Sequence, residues 1–309
     1  MILDISHAAL QVPDLDTSVD FAVDTLGMHE VERVGRRAYL TLESPYPSLG
    51  SVCGHHVVEY VEGPDAALDH VGFLVGNVDA LDLLVARAEA AGATTLPHDP
   101  DERGLGEAIR LAAPSGHVFE LHTEMADVSC SYLPRGLRPH RLGHVNFLAR
   151  DAPRLMQFLV DGLGFLVSDW VTTADGPLAG FARCNTDHHT AGAIAGPVDG
   201  LHHIAFETSS SGEIERLGDH LARAGRQYSW GPGRHGAGDN IAAYLFGPDG
   251  IMIEIYADMQ RIIGDSWEPR SWMSDDPRVL NMWTGAAGSE AFTTASIPLA
   301  DAARGQATR

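Results

Sequence analysis

The sequence predicts an α+β protein built from four βαβββ modules, which pair into two similar domains followed by a C-terminal tail. The two halves of the chain repeat short strings in the same order, which indicates duplication. Within each half, runs typical of a strand, a helix and then short strands follow one another twice. The 309 residues are enough for two separate cores. We therefore expect an N-terminal domain over 1–135, a C-terminal domain over 136–260 and a tail over 261–309.

The duplication is visible in four pairs of strings. They are ISHAALQV with LGHVNFLA, HHVVEY with HHTAGA, LDHVGF with LHHIAF, and APSGHVFEL with GPDGIMIEI. Each pair joins one string of the first half to one of the second.

The first module begins with ISHAALQV, whose alternating apolar positions predict a strand. A helix follows, because Asp14 or Asp16 can cap it, apolar residues recur three and four apart, and Gly27 ends it. RRAYLTL is then a short strand.

The second module starts with the strand LDHVGFLV and continues with a helix that ends at Gly92. Two strands, EAIRLAA and GHVFELHT, finish it, and the Pro-Ser-Gly between them predicts a turn. The second half repeats this plan up to about residue 257, and PDG at 248–250 marks the matching turn of the last module. The first part of the remaining tail is rich in Trp and Pro, so we expect it to pack over the second domain.

Composition excludes several classes of protein. The chain has 21 Lys plus Arg against 42 Asp plus Glu, and a net charge of -21 would repel nucleic acid and anionic lipid. No apolar run approaches the length of a membrane span, and the N-terminus lacks a signal-peptide pattern, so we expect a cytoplasmic protein. Cys53, Cys130 and Cys184 have no metal-site or disulfide spacing.

Histidine is unusually frequent, with 16 residues, and some of these residues form matched sets. In the second half, His144 and His203 each open a strand and Glu254 lies in a terminal strand; His7, His70 and Glu120 correspond to them in the first half. Two imidazoles and one carboxylate on one face form the ligand set of non-haem Fe(II) oxygenases, although zinc would accept the same donors.

Ligand counting does not say which half is active, but the neighbouring residues do. Asn146 corresponds to Ala9, Tyr244 to Arg110, and His235 to a stretch without histidine, whereas His188 has a counterpart in His55. Chemistry needs an acid, a base and oriented donors, so we assign the working site to the second domain. The first set is then expected to be a metal-free remnant of duplication, since partial sites usually lack supporting residues.

These residues resemble the type I extradiol ring-cleaving dioxygenases of the vicinal oxygen chelate superfamily, which have a glyoxalase-like fold. The resemblance covers residues 5–257 in layout and is most specific over 142–256, where HVN, HHTA, LHHIAF, GPGRHG and PDG-x-x-x-E-I-Y occur in order. The pattern is similar to that of homoprotocatechuate and catechol 2,3-dioxygenases.

The resemblance implies that His144, His203 and Glu254 bind Fe(II), with Mn(II) as the alternative, and that a catechol and O2 are the substrates. It further implies that His188 is the acid/base and that Asn146, His235 and Tyr244 act beside it, the last two by bonding the catecholate oxygens. Relatives are commonly homo-oligomers, and a tetramer is favoured.

HHTA departs from the His-Asp pair of many relatives, because His189 takes the place of the aspartate. The fifteen residues from His188 to His203 favour His188 as the inward imidazole, and we expect His189 to face solvent on a strand. Two other functions stay open: another metal-dependent lyase or isomerase of the superfamily, and a metal-free protein that binds aromatics. The tail could form a lid over the site or an oligomer contact.

Overall fold

The computed structural model describes residues 1–42, 52–97, 99, 101–130, 136–264 and 266–300. The first module consists of β1 (Ile2–Val12), α1 (Leu15–Asp24), β2 (His29–Val34), β3 (Arg37–Thr41), β4 (Val52–Gly54) and β5 (Val58–Glu62). The second consists of β6 (Ala67–Val75), α2 (Val78–Ala90), β7 (Thr94–Leu96), β8 (Ala108–Ala112) and β9 (Val118–His122), and β10 (Asp127–Ser129) follows it.

The second half repeats this order. The third module consists of β11 (Pro139–Ala149), α3 (Ala152–Asp161), β12 (Leu166–Thr173), β13 (Gly176–Arg183) and β14 (Ala191–Ala195). The fourth consists of β15 (Gly200–Thr208), α4 (Ser211–Arg223), β16 (Trp230–Arg234), β17 (Ile241–Phe246) and β18 (Met252–Ala257). The tail adds β19 (Arg270–Met273), a 3-10 turn at Pro277–Val279, α5 (Glu290–Thr294) and β20 (Ile297–Pro298). The α+β class and the four βαβββ modules are therefore confirmed.

Each half forms one large mixed sheet with the same strand order. The first sheet runs β2-β3-β5-β1-β6-β9-β8-β7, and the second runs β16-β17-β18-β15-β11-β14-β13-β12-β19, with β20 beside β15. In every module the first strand pairs in parallel with the last, and the two modules of a half meet through their antiparallel first strands. This arrangement brings the first and last strands of both modules to the middle of the sheet.

Local sequence explains the helix boundaries. Asp14, one of the two expected caps, accepts a hydrogen bond from the backbone N–H of Thr17, which fixes the start of α1. After α1, Gly27 has a φ of 70°, a left-handed conformation that glycine adopts without strain. Asn77 and Asp151 cap α2 and α3 in the same way as Asp14.

The two halves share a continuous apolar core. Phe73 lies against Phe165, and Phe119 lies against Phe147, with 5.5 Å between the ring centroids in both pairs. These contacts join side chains of different halves inside one buried cluster. The expected boundary at 135/136 adjoins residues 131–135, which lie outside the described residues.

The tail packs on the C-terminal half. β19 pairs in parallel with β12, and the indole N–H of Trp267 donates to the carbonyl of Ser168. Residues 301–309 lie outside the described residues. None of the helices in the described part of the chain is both long and apolar enough to cross a membrane.

Candidate metal centre and active site

Three neighbouring strands at the middle of the C-terminal sheet carry the predicted ligands. His144 on β11 is opposite Ala205 on β15, and Ala205 is in turn opposite Glu254 on β18. His203 lies two residues before Ala205, so its side chain emerges on the same face of β15. The strand register therefore brings the two imidazoles and the carboxylate to one point.

The three side chains converge closely. Glu254 Oε2 lies 3.1 Å from His144 Nε2 and 3.0 Å from His203 Nε2. One ligand atom from each of the three residues lies within 4.8 Å of the others. All three residues are at most 2% exposed. The structure thus brings together the full ligand set that the sequence predicts.

The protonation states suit metal ligands. Burial alone would raise the pKa of Glu254, but the two histidines outweigh burial by charge and hydrogen bonding, and hold that pKa well below its usual value. Burial lowers the pKa of His203, which favours a neutral imidazole with a lone pair. Because a carboxylate and neutral imidazoles are the donors that Fe(II), Mn(II) and Zn(II) accept, the residues fit a divalent metal.

Polar groups around Glu254 fix its orientation. The amide of Asn240 donates to Glu254 Oε1 at 2.8 Å, and the phenol oxygen of Tyr244 lies 2.7 Å from Glu254 Oε2. Tyr244 is directly opposite Glu254 across the β17–β18 pair. Such second contacts orient a metal ligand and tune its basicity.

His235 extends this network. Its Nδ1 donates to the carbonyl of Leu280 at 2.7 Å, and its Nε2 lies 2.9 Å from the phenol oxygen of Tyr244. Burial lowers the pKa of His235, and burial together with the charge of Glu254 raises that of Tyr244 well above its usual value. The phenol therefore keeps its proton, which lies between two acceptors, Glu254 and a neutral imidazole.

Asn146 is placed on the other side of the triad. It is opposite His203 across the β11–β15 pair, and its Nδ2 lies 3.0 Å from His203 Nε2. Its Oδ1 is buried and has no hydrogen-bond partner in the protein. A buried, unsatisfied amide oxygen beside the ligands suits contact with a bound molecule.

The adjacent histidines 188 and 189 point in different directions, and one expectation about them is wrong. His189 is 3% exposed, not solvent-facing, and its ring lies 4.3 Å from that of His144. His188 turns away, so that its Nε2 lies 3.3 Å from Asp169 Oδ2. The pair lies in the loop between β13 and β14, where strand alternation does not apply. His189, not His188, is the imidazole that lines the adjoining cavity.

That cavity has a volume of about 560 Å³ and opens onto the triad. One end is polar, and carries Asn146, His189, His203, His235, Tyr244 and Glu254. The other walls are mostly apolar, and come from β12 to β14 and from the tail: Val171, Leu178, Ala179, Phe181, Ile194, Val279, Leu280 and Phe292. No Arg or Lys is among the described residues that line it. The tail thus forms part of the binding space.

The sequence did not single out three of these residues. Asn240 precedes β17 in a loop, Asp169 contacts His188 and accepts a hydrogen bond from the indole of Trp272, and Phe292 lies on the short helix α5. For Asn240, the available signal is its position as a polar residue directly before a strand. Nothing in the local pattern marks the other two.

Comparison with known proteins shows what the chain is similar to. It matches the sequence profile of the Glyoxalase/Bleomycin resistance protein/Dioxygenase superfamily over residues 4–121 and 141–255. It is 26% identical to the manganese-dependent 2,3-dihydroxybiphenyl 1,2-dioxygenase of Geobacillus genomosp. 3, covering 92% of this chain and 94% of the relative. Metapyrocatechase of Geobacillus stearothermophilus is 24% identical, with coverage of 96% and 94%.

Solved structures of dioxygenases are also similar to this chain. An extradiol ring-cleaving dioxygenase from B. fuscum superimposes with a TM-score of 0.86 at 28% identity, covering 97% of this chain and 84% of the other. The 2,3-dioxygenase LapB from Pseudomonas sp. KL28 has a TM-score of 0.80 at 25% identity, with coverage of 89% and 98%. The similarity therefore spans both halves and includes most of the tail.

Proposed function

The chain belongs to the Glyoxalase/Bleomycin resistance protein/Dioxygenase superfamily and is an extradiol dioxygenase, and we propose that it cleaves a catechol held between His144, His203 and Glu254. The family resemblance expected from the sequence is confirmed. The observation that carries the proposed site is the convergence of two imidazole nitrogens on one carboxylate oxygen, at 3.0 and 3.1 Å, in a buried position that opens onto a cavity.

Iron(II) is the proposed metal, with manganese(II) as the alternative, since one relative is named as manganese-dependent. When bound, the metal would hold the diol and O2 side by side and pass electron density between them. Three protein ligands leave room for both, because octahedral ions accept six donors.

We propose His189 as the acid/base, in place of His188, which the resemblance implies. Burial, followed by the positive charge that His144 and His188 would carry, lowers the pKa of His189 well below its usual value. A neutral imidazole at the cavity can accept the proton that a catechol loses on binding. The Nδ1 atoms of His188 and His189 lie 3.1 Å apart, so Nε2 is the ring nitrogen of His189 that can exchange a proton with the substrate.

His235 and Tyr244 are proposed to bind the diol oxygens. The phenol keeps its proton, and His235 is fixed through Nδ1, so a phenolic oxygen that enters their shared hydrogen bond at 2.9 Å finds one donor and one acceptor. The amide of Asn146, which lies beside His203, is proposed to contact the opposite edge of the catechol ring. These three residues orient the ring relative to the ligands and take no other part.

The cavity indicates the class of catechol. Its apolar walls and the absence of Arg or Lys from its described lining favour an uncharged, apolar substituent. Asp275 and Asp276 at the tail side would repel a carboxylate. We therefore propose an alkyl- or aryl-substituted catechol and not a carboxylated one. The homotetramer and the cytoplasmic location expected from the sequence stay predictions.

A substrate panel on the reconstituted enzyme tests the function. Metal-free protein is loaded with Fe(II) under anaerobic conditions, and catechol, 3-alkylcatechols, 3-phenylcatechol and 3,4-dihydroxyphenylacetate are assayed for the yellow ring-opened product. His203→Ala should lose the activity and the metal of the C-terminal triad, whereas His220→Ala, on α4 away from the cavity, should keep both. Full activity of His203→Ala would contradict the assignment, and preference for the carboxylated catechol would contradict the substrate class.

A further inference from the structure

The N-terminal half contains a second buried cluster of ligand-type side chains, formed by His7, His70, Glu102 and Glu120. One ligand atom of each residue lies within 4.8 Å of the others. The exposed fractions of the four side chains are 0% or 1%. The duplication pairs three of these residues, His7, His70 and Glu120, with the metal-ligand positions of the second half, and Glu102 is an additional carboxylate.

The distances in this cluster fit a small ion. His7 Nε2 and His70 Nε2 are 3.2 Å apart. Glu120 Oε2 lies 3.4 Å from the first and 3.6 Å from the second, and Glu102 Oε1 lies 3.7 Å and 3.4 Å from them. Donor atoms placed about 2.0–2.2 Å from a tetrahedral ion are about 3.3–3.6 Å from one another. The four side chains therefore already have nearly this spacing.

Both imidazoles are held so that Nε2 faces the cluster. The Nδ1–H of His70 donates to Asp69 Oδ1 at 2.7 Å, which is the carboxylate–histidine contact common behind metal ligands. His7 Nδ1 lies 3.0 Å from Ser6 Oγ. In these tautomers the two Nε2 atoms, 3.2 Å apart, both present lone pairs toward the cluster, where Arg110 Nη2 also lies 3.5 Å from His70 Nε2.

The hydrogen bonds of Ser6 support this tautomer of His7. His122 Nδ1 must donate to the carbonyl of Glu124, 3.2 Å away, so its Nε2 accepts from the Ser6 hydroxyl at 2.7 Å. The Ser6 oxygen then accepts from His7 Nδ1–H. Each group in this series donates a hydrogen bond to the next. His7 therefore carries its proton on Nδ1, and its Nε2 is left as an acceptor.

Arg110 positions the two carboxylates. Its Nε donates to Glu120 Oε1 at 2.8 Å, and its Nη2 donates to Glu102 Oε2 at 2.5 Å. The guanidinium thus holds one oxygen of each glutamate, and the other oxygen of each faces the imidazoles. Arg110 lies opposite Glu120 across the β8–β9 pair, just as Tyr244 lies opposite Glu254 across the β17–β18 pair. The supporting residues that a metal-free remnant is expected to lack are present.

The cluster is rich in acidic groups. Three carboxylates, those of Asp69, Glu102 and Glu120, lie around the two imidazoles, together with the guanidinium of Arg110. A buried group of this composition favours the binding of a divalent cation.

We propose that His7, His70, Glu102 and Glu120 form a second, closed site for a divalent metal ion in the N-terminal half, with Zn²⁺ as the ion that its two-nitrogen, two-oxygen tetrahedral set fits best. The fourth protein ligand distinguishes it from the C-terminal triad, which opens onto a cavity. With four protein donors it serves to stabilise the N-terminal sheet and not to bind a substrate.

Metal counting on the full-length chain tests this site. Purified protein is stripped of metal, exposed to excess Zn²⁺, desalted and analysed by mass spectrometry of the metal. We expect two equivalents per chain in wild type, one in His203→Ala, one in His70→Gln, and none when the two substitutions are combined. Glu102→Gln, a milder change in a loop that removes a ligand, should weaken Zn²⁺ binding in the His203→Ala chain by more than the roughly 10–100-fold that loss of a supporting contact costs.

A stability readout separates metal binding from folding. Zn²⁺ should raise the melting temperature of metal-free His203→Ala, and should leave that of the doubly substituted chain unchanged. If His203→Ala retains no zinc, or if neither His70→Gln nor Glu102→Gln changes the zinc that it retains, the proposal is overturned. Either result leaves the C-terminal site and the proposed function untouched, because those depend on the metal that His203→Ala loses.

Discussion

The ring of His189 lies against that of His144, with 4.3 Å between their centroids, while the neighbouring His188 turns toward Asp169. The same arrangement occurs in the first half, where the ring of His56 lies 4.6 Å from that of His7. The two histidine pairs are therefore a duplicated structural feature. In the C-terminal half alone, the inner histidine of the pair lines a cavity whose described walls include metal-ligand positions.

His189→Asn should lower kcat by roughly a hundredfold or more, the usual size of a general acid/base contribution. Its metal content should not change, because His189 is not one of the three converging ligands. His188→Asn is the matched control, and should cost less, since His188 is not among the residues that line the cavity and contacts His189 through Nδ1. Steady-state kinetics with iron measured on the same samples checks both. A larger loss in His188→Asn than in His189→Asn would return the role to His188.

Asn240→Ala should weaken metal binding. The substitution removes the amide that donates to Glu254 Oε1 at 2.8 Å in a fully buried position, so the carboxylate loses orientation. Loss of such a contact typically costs about 10–100-fold in metal affinity. Competition with a chelator measures the effect. Asn185→Ala, which removes an amide bound to Asp4 instead, is the control and should keep the wild-type affinity. Equal affinities in all three proteins would show that Asn240 does not position Glu254.

Phe292→Ala should widen the range of substrates. The ring of Phe292 lines the cavity and lies 4.7 Å from that of Tyr244, so its removal enlarges the space beside the proposed diol site. We expect kcat/KM for 3-phenylcatechol to rise severalfold relative to that for catechol. Phe246→Ala removes a ring that packs on the same cluster but does not line the cavity, and should leave this ratio unchanged. A fall in the ratio for Phe292→Ala would indicate that the substituent binds elsewhere.

Periodicity and repetition were sufficient to predict the modules and the ligand triad. Strand alternation fixes which residues share a face, so His144, His203 and Glu254 could be assigned without coordinates. Alternation does not extend into the loop between β13 and β14, so the sequence does not reveal that His189, and not His188, lines the cavity. Glu102 and Asn240 lie in loops as well, and their contacts depend on where distant strands place Glu120 and Glu254.

The expectation that the N-terminal set is a metal-free remnant stays a prediction, and the proposed second metal site is its alternative. The expectation assumes that a duplicated site without a catalytic role loses the residues that support its ligands. Asp69, Ser6 and Arg110 are single residues with ordinary structural explanations, and only their distances to His70, His7 and Glu120 reveal that they support the cluster.

Glu207 provides a pH test at a carboxylate that belongs to neither ligand cluster. It is 7% exposed, Arg141 Nε donates to its Oε2 at 2.5 Å, and Arg261 approaches its Oε1 at 3.4 Å. Burial would raise the pKa of Glu207, but His140, whose Nε2 lies 3.7 Å from Oε2, and the hydrogen bond and charge of Arg141 outweigh burial and lower it to about 2. The carboxylate is therefore bound more strongly in the folded chain than in the unfolded one.

The sign of the pH effect follows from this direction. Because the pKa of Glu207 is lower in the folded state than its ordinary value of 4.5, its contribution to the free energy of unfolding is complete above pH 4.5 and is lost as the pH falls toward 2. Glu207→Gln should therefore cost about 2–3 kcal/mol at pH 7, and the difference from wild type should shrink by roughly two-fifths at pH 3.5. Urea unfolding at both pH values measures it, with Glu215→Gln, exposed on α4, as the control that should show no difference. A gap that stays constant from pH 7 to pH 3.5 would mean that Arg141 holds Glu207 no more tightly than water does.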